Sequence, residues 1–83
     1  MKENPDYVLD FRETIIPFAL LKMKQVLGEM RANEVLEVIT PDPDVRSDVF
    51  RVIPGAICEL IDMQFDKGAD CYRIRFKKRL PSR

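Results

Sequence analysis

Apolar and polar positions alternate from Tyr7 to Phe11, with Tyr7, Leu9 and Phe11 on one face and Val8 and Asp10 on the other. This is the period of a half-buried strand. From Pro17 the period lengthens. Leu20, Met23, Leu27 and Met30 recur at three- and four-residue steps while Lys22, Gln25 and Glu29 take the opposite side, which predicts an amphipathic helix from Pro17 to about Ala32. The fixed φ and missing N–H of proline suit the first helical position, and Asn33 can adopt the left-handed conformation that closes a helix. Gly28 costs that helix about 1 kcal/mol relative to alanine. Glu34 to Thr40 is rich in β-branched residues and apolar on both faces, as expected of a more central strand. Asp42-Pro43 offers a cap oxygen and a first-position proline to a short second helix whose apolar side is Val45, Val49, Val52 and Ile53.

Pro54-Gly55 ends that helix, and a strand from about Ile57 to Asp66 returns through Lys67-Gly68 into a last strand, Asp70 to Lys78. With Lys67-Gly68 at the tip, Asp62 faces Arg73 and Gln64 faces Cys71, while Met63 meets Tyr72 and Ile61 meets Ile74 on the other side. A one-residue slip would drive Arg73 and Arg75 into the core. The order β-α-β-α-β-β predicts an α/β fold, a two-layer α/β sandwich with a mixed four-stranded sheet, two helices on one face and the other face open to solvent. Residues 1–6 are expected to be a flexible lead-in, 7–78 a single domain and 79–83 a frayed tail. The last strand, with Lys77 and Arg79, is expected at a sheet edge. An 83-residue chain that is 46% hydrophobic buries about three fifths of its unfolded surface, so one modest core is expected.

Charge and residue types then narrow the chemistry. Fourteen basic and 14 acidic residues cancel, which argues against a general polyanion binder. With no histidine, imidazole base catalysis and the commonest metal ligand are removed. Cys58 and Cys71 lack the close pairing of zinc or redox motifs and read as reduced thiols of a cytoplasmic chain. Pro17 interrupts the most apolar stretch, Ile15 to Leu21, so neither export nor a membrane span is expected. Asp42, Asp44 and Asp48 suit helix capping better than a cation site. No cofactor or metal is expected, and no Gly-rich phosphate loop, serine elbow or carboxylate pair is present.

Several short motifs, in order, resemble the TusA/SirA family of small sulfur-carrier proteins. Leu9-Asp10-Phe11-Arg12 is similar to the family's Leu-Asp-Leu-Arg strand end, Pro17 to the first proline of its Cys-Pro-x-Pro signature, and Asp42-Pro43 to the Asp-Pro after its second strand. Asp48-Val49 resembles the Asp-Ile of the second helix, and the pattern continues without a gap to Gly68 and on to Tyr72-Arg73-Ile74-Arg75. The resemblance implies a cysteine at the first helix N-terminus carrying a persulfide that passes between partner proteins, including on the route to tRNA thiolation. A helix N-terminus lowers a thiol pKa and so favours the reactive thiolate. Here the matching position is Ile16, which cannot ionise, attack or hold sulfur. Phe18, Ala19 and Glu13 also depart from the family pattern.

The preferred reading is therefore a relative that is leaning away from enzyme activity, a protein-binding adaptor or regulator near sulfur relay. Its expected contact residues are Arg12, Ile15, Ile16, Pro17 and Phe18, an apolar corner where a reactive one stood. The alternative at Ile16 and Phe18 is simple packing under the loop. A second reading is an active sulfur carrier or redox protein using Cys71, set on the open face with Arg73 and Arg75, or Cys58. A third is weak RNA binding through Arg73, Arg75, Lys77, Lys78 and Arg79, against which stand Asp62 and Asp66 on the adjacent strand and the inward direction of Tyr72 and Phe76. Protein partners are expected, nucleic acid is not, and the chain is expected to be a monomer or a weak dimer.

Overall fold

The computed structural model describes residues 4–14, 16–53, 55 and 57–79, with Ile16 described through its backbone alone. The two periodicities become β1 (Tyr7–Asp10), α1 (Ile16–Glu29), β2 (Val35–Thr40), α2 (Val45–Val52), β3 (Cys58–Asp66) and β4 (Cys71–Lys78). The strands form one sheet in the order β1-β2-β4-β3. β1 runs parallel to β2, and β4 pairs antiparallel with both β2 and β3. The sheet is mixed and the architecture α/β, as the element order predicts.

One face of the sheet forms the core. Leu36 and Val38 pair with Phe76 and Ile74, and these four pack with Ala19, Met23, Val26 and Leu27 of α1 and Val45 and Val49 of α2. Both helices therefore cover the same side. Phe50 adds an edge-on ring contact to Phe76, with centroids 6.1 Å apart, a favoured aromatic geometry. All six residues of β2 are buried, consistent with its pattern of apolar residues on both faces.

Several expectations need correction. β4 is central, and β1 and β3 are the edges. On a sheet with one wet face a central strand alternates charged and apolar residues much as an edge strand does, so the pattern of β4 could not distinguish them. The hairpin register also differs by two residues. Gln64 faces Arg73, Asp66 faces Cys71 and Met63 faces Ile74, with an irregularity between Leu60 and Asp62. The loop spans four residues instead of two: Asp66 Oδ1 accepts the Ala69 N–H at 3.2 Å, and Asp70, with φ 53°, takes the left-handed position. From Asp62 to Asp66 the two-residue shift leaves each side chain on its face. Upstream of the irregularity the offset is one residue, so Cys58 and Leu60 pair with Lys78 and Phe76, and Ile61, expected against Ile74, is 43% exposed.

The helix ends were also misplaced. α1 stops at Glu29, and Asn33, with φ 71°, turns the chain into β2 while donating its N–H to Lys78 O at 2.8 Å. Asp42-Pro43 forms a turn ahead of α2, with Asp42 Oδ1 accepting the Asp44 N–H at 2.9 Å. The cap position belongs to Asp44, which makes no side-chain cap bond. Pro54, expected to end α2, lies outside the described residues. At the N-terminal side, Asp6 exchanges hydrogen bonds with Val35 through its backbone N–H and its carboxylate, so pairing reaches one residue beyond β1.

Candidate partner-binding corner

The corner begins where β1 ends. The Asp10 carboxylate accepts the Arg12 backbone N–H at 3.1 Å and the guanidinium at 3.0 Å from Nε and 2.6 Å from Nη2. That fork fixes the chain as it leaves the sheet. It also holds the Asp10 carboxyl well below the ordinary carboxylate range, at about 2, and raises the Arg12 guanidinium. Asp10, Arg12, Glu13 and Thr14 line a shallow polar hollow there. α1 then starts at Ile16, with no acidic residue in its first turn. Ile15 and the Ile16 side chain lie outside the described residues.

Pro17 is exposed and Phe18 is 63% exposed, so packing under the loop does not describe Phe18. Beside them an apolar groove of about 420 Å³ runs between the helices, lined by Pro17, Leu20, Leu21, Lys24 and Val52. Leu21 is 65% and Val52 47% exposed. The sequence reading missed this groove. Leu21 falls outside the Leu20, Met23, Leu27, Met30 stripe, and an apolar residue on the polar side of a helix was the available signal. Val52 was assigned to the buried side of α2, but that side is Val45 and Val49.

The structure brings neither cysteine to the surface. Cys58 starts β3 within the core at 0% exposure, and burial pushes its thiol pKa up against the smaller opposing effect of Arg79 and Lys78. Cys71 lies on the sheet face of Arg73 and Arg75, as expected, but is only 1% exposed and sits opposite Asp66. Arg73 is already engaged, its Nη1 on Glu37 at 2.9 Å and its Nε on Asp66 at 3.3 Å. Arg75 Nε meets the other Glu37 oxygen at 3.0 Å. Glu37, buried between the two arginines, was not anticipated; a lone carboxylate in an otherwise apolar strand was its signal.

The basic stripe considered for RNA is dispersed. Lys78 turns to the helix side, where Nζ donates to the Leu27 and Met30 carbonyls. Arg79 donates to Gly55 O at 2.7 Å and stands 4.0 Å from Glu59. Among the described residues no group of His, Cys, Asp or Glu side chains could hold a metal ion, and no helix is long and apolar enough to cross a membrane.

No family model matches the chain. Individual relatives do. The sulfur carrier protein TusA of Pseudomonas putida strain GB-1 is 32% identical over 74 residues, covering 89% of this chain and 92% of the relative. TusA proteins of two further strains of that species are 31% identical over the same span. Near full-length similarity at this level, joined to the motif order and the β-α-β-α-β-β topology, shows that the chain belongs to the TusA family of sulfur carrier proteins.

Proposed function

We propose that this TusA-family protein has given up persulfide chemistry and acts as a protein-binding adaptor or regulator near sulfur relay, with Arg12, Ile15, Ile16, Pro17 and Phe18 as its contact corner. The observation that carries the reading is Ile16 at the first position of α1, where the family's cysteine belongs, while both cysteines of the chain are buried. Sulfur transfer requires a thiolate at the surface to take and pass on a sulfane atom. Pro17 and Phe18 present hydrocarbon instead, and exposed apolar residues grouped at one site favour protein association.

Loading with a cysteine desulfurase and isotopically labelled cysteine, followed by persulfide-selective alkylation and mass spectrometry, tests the chemical half. The expected result is no sulfane adduct on Cys58 or Cys71; a stable adduct on either would restore the sulfur-carrier reading. Affinity purification from the native cell with wild type, Ile16→Asp and Phe18→Asp tests the adaptor half. A partner held by wild type should be lost from both variants, and identical partner sets would remove the corner from consideration.

A further inference from the structure

Resting on the corner as a partner contact, we propose that the groove between α1 and α2 receives an apolar side chain from an acidic amphipathic segment of a partner protein. Shape and lining supply the first argument. Pro17, Leu20, Leu21 and Val52 make an apolar floor and walls with Lys24 at the margin, and a concave apolar site takes an inserted side chain better than a flat surface does.

Charge supplies the second argument and selects the partner. Arg12, Arg73, Arg75 and Arg79 each meet a carboxylate of the chain itself. No ion pair among the described residues involves Lys22, Lys24 or Arg51. α1 carries no carboxylate before Glu29, and α2 carries Asp48 against Arg46 and Arg51. The two helices thus carry four basic residues against two acidic ones, and Lys24, the charge that lines the apolar groove, has no internal ion partner among the described residues. Complementary charge at a rim sets partner choice and speeds encounter, while the buried apolar contact sets how long the complex lasts. A basic or neutral segment would forgo the first, and a bare polyanion the second.

The probe is a phage-displayed library of random helical peptides selected on the wild-type protein and counter-selected on Leu21→Asp. Leu21 is mostly exposed, so this variant should keep its fold, as circular dichroism and thermal melting would show. The expected winners carry Leu, Ile or Phe at helical spacing flanked by Asp and Glu. A synthetic winner, followed by fluorescence anisotropy, should bind roughly tenfold more weakly to Leu21→Asp, several-fold more weakly to Lys24→Glu, and more weakly as salt is raised. Winners without acidic residues, or binding indifferent to both substitutions, would overturn the proposal. So would co-sedimentation with phosphatidylserine vesicles in place of peptide selection, or a self-association abolished by Leu21→Asp. If peptide selection fails while Phe18→Asp still loses a native partner, the acidic preference falls and the adaptor reading stands. If the native partner set is also unchanged, both fall.

Discussion

At the scale of single residues, Glu37 departs most from what the chain suggested. Its side chain is 6% exposed and accepts from Arg73 and Arg75 at once. Breaking a fully buried pair costs about 3–5 kcal/mol because the surviving charge is stranded. Here Arg73 and Arg75 retain 40% and 24% exposure, and Asp66 still engages Arg73, so solvent and the second carboxylate take up much of that cost. Glu37→Gln should therefore lower stability by about 1–2 kcal/mol, read as a lower urea midpoint at unchanged slope. An unchanged midpoint would show the arginines to be fully hydrated without it. The sequence placed Arg73 and Arg75 on the correct face and set Asp62 and Asp66 of the neighbouring hairpin strand against them. Asp66 does engage Arg73, but Glu37 of β2, which holds both arginines, was missed. Which carboxylate answers an arginine depends on strand order, and strand order is a tertiary fact.

Among the elements, α1 shows how a long-range contact decides a boundary that local signals leave open. Its last turn contains no basic residue, so the exposed carbonyls at its carboxyl end have no local cation. Lys78, from β4, supplies one by donating to Leu27 O and Met30 O, opposite the negative end of the helix dipole. Lys77 and Lys78 are indistinguishable by type, yet Lys77 sits opposite Val35 and Glu59 on the open side. Lys78→Met should cost about 1 kcal/mol and speed hydrogen exchange in the last turn of α1, whereas Lys77→Met should do neither. Equal effects from both would show that the cap contributes nothing. The same reasoning explains which parts of the fold were legible. Element type and facing follow from periodicity within a few residues, and the β1, β2 and α1 stripes were read correctly. The end of α1 and the central place of β4 rest on partners distant in the chain, whereas the four-residue loop before Cys71 is fixed locally, by the Asp66–Ala69 hydrogen bond and the left-handed Asp70.

For the whole molecule, the scaffold and the chemistry are separable. β1, the Asp10–Arg12 fork and α1 are in place on either side of residue 15, and α1 has no acidic residue in its first turn to offset its N-terminal N–H groups. Ile16 stands at its first position. The place of Ile16 at the head of α1 was legible from the sequence because a motif position is local. The groove was not, since Leu21 and Val52 meet only once two helices pack. If the scaffold retains its electrostatic setting, Ile16→Cys in a Cys58→Ser, Cys71→Ser background should yield a thiol that titrates below the ordinary value of about 8.5. The sign follows from the helix end, whose positive pole stabilises the thiolate and so lowers the pKa. An alkylation rate measured against pH reports that value directly. At neutral pH the new thiol should also react faster than Cys58 and Cys71 in the native chain, both of which are buried. A titration at or above the ordinary value would mean that the head of α1 supplies no activating geometry.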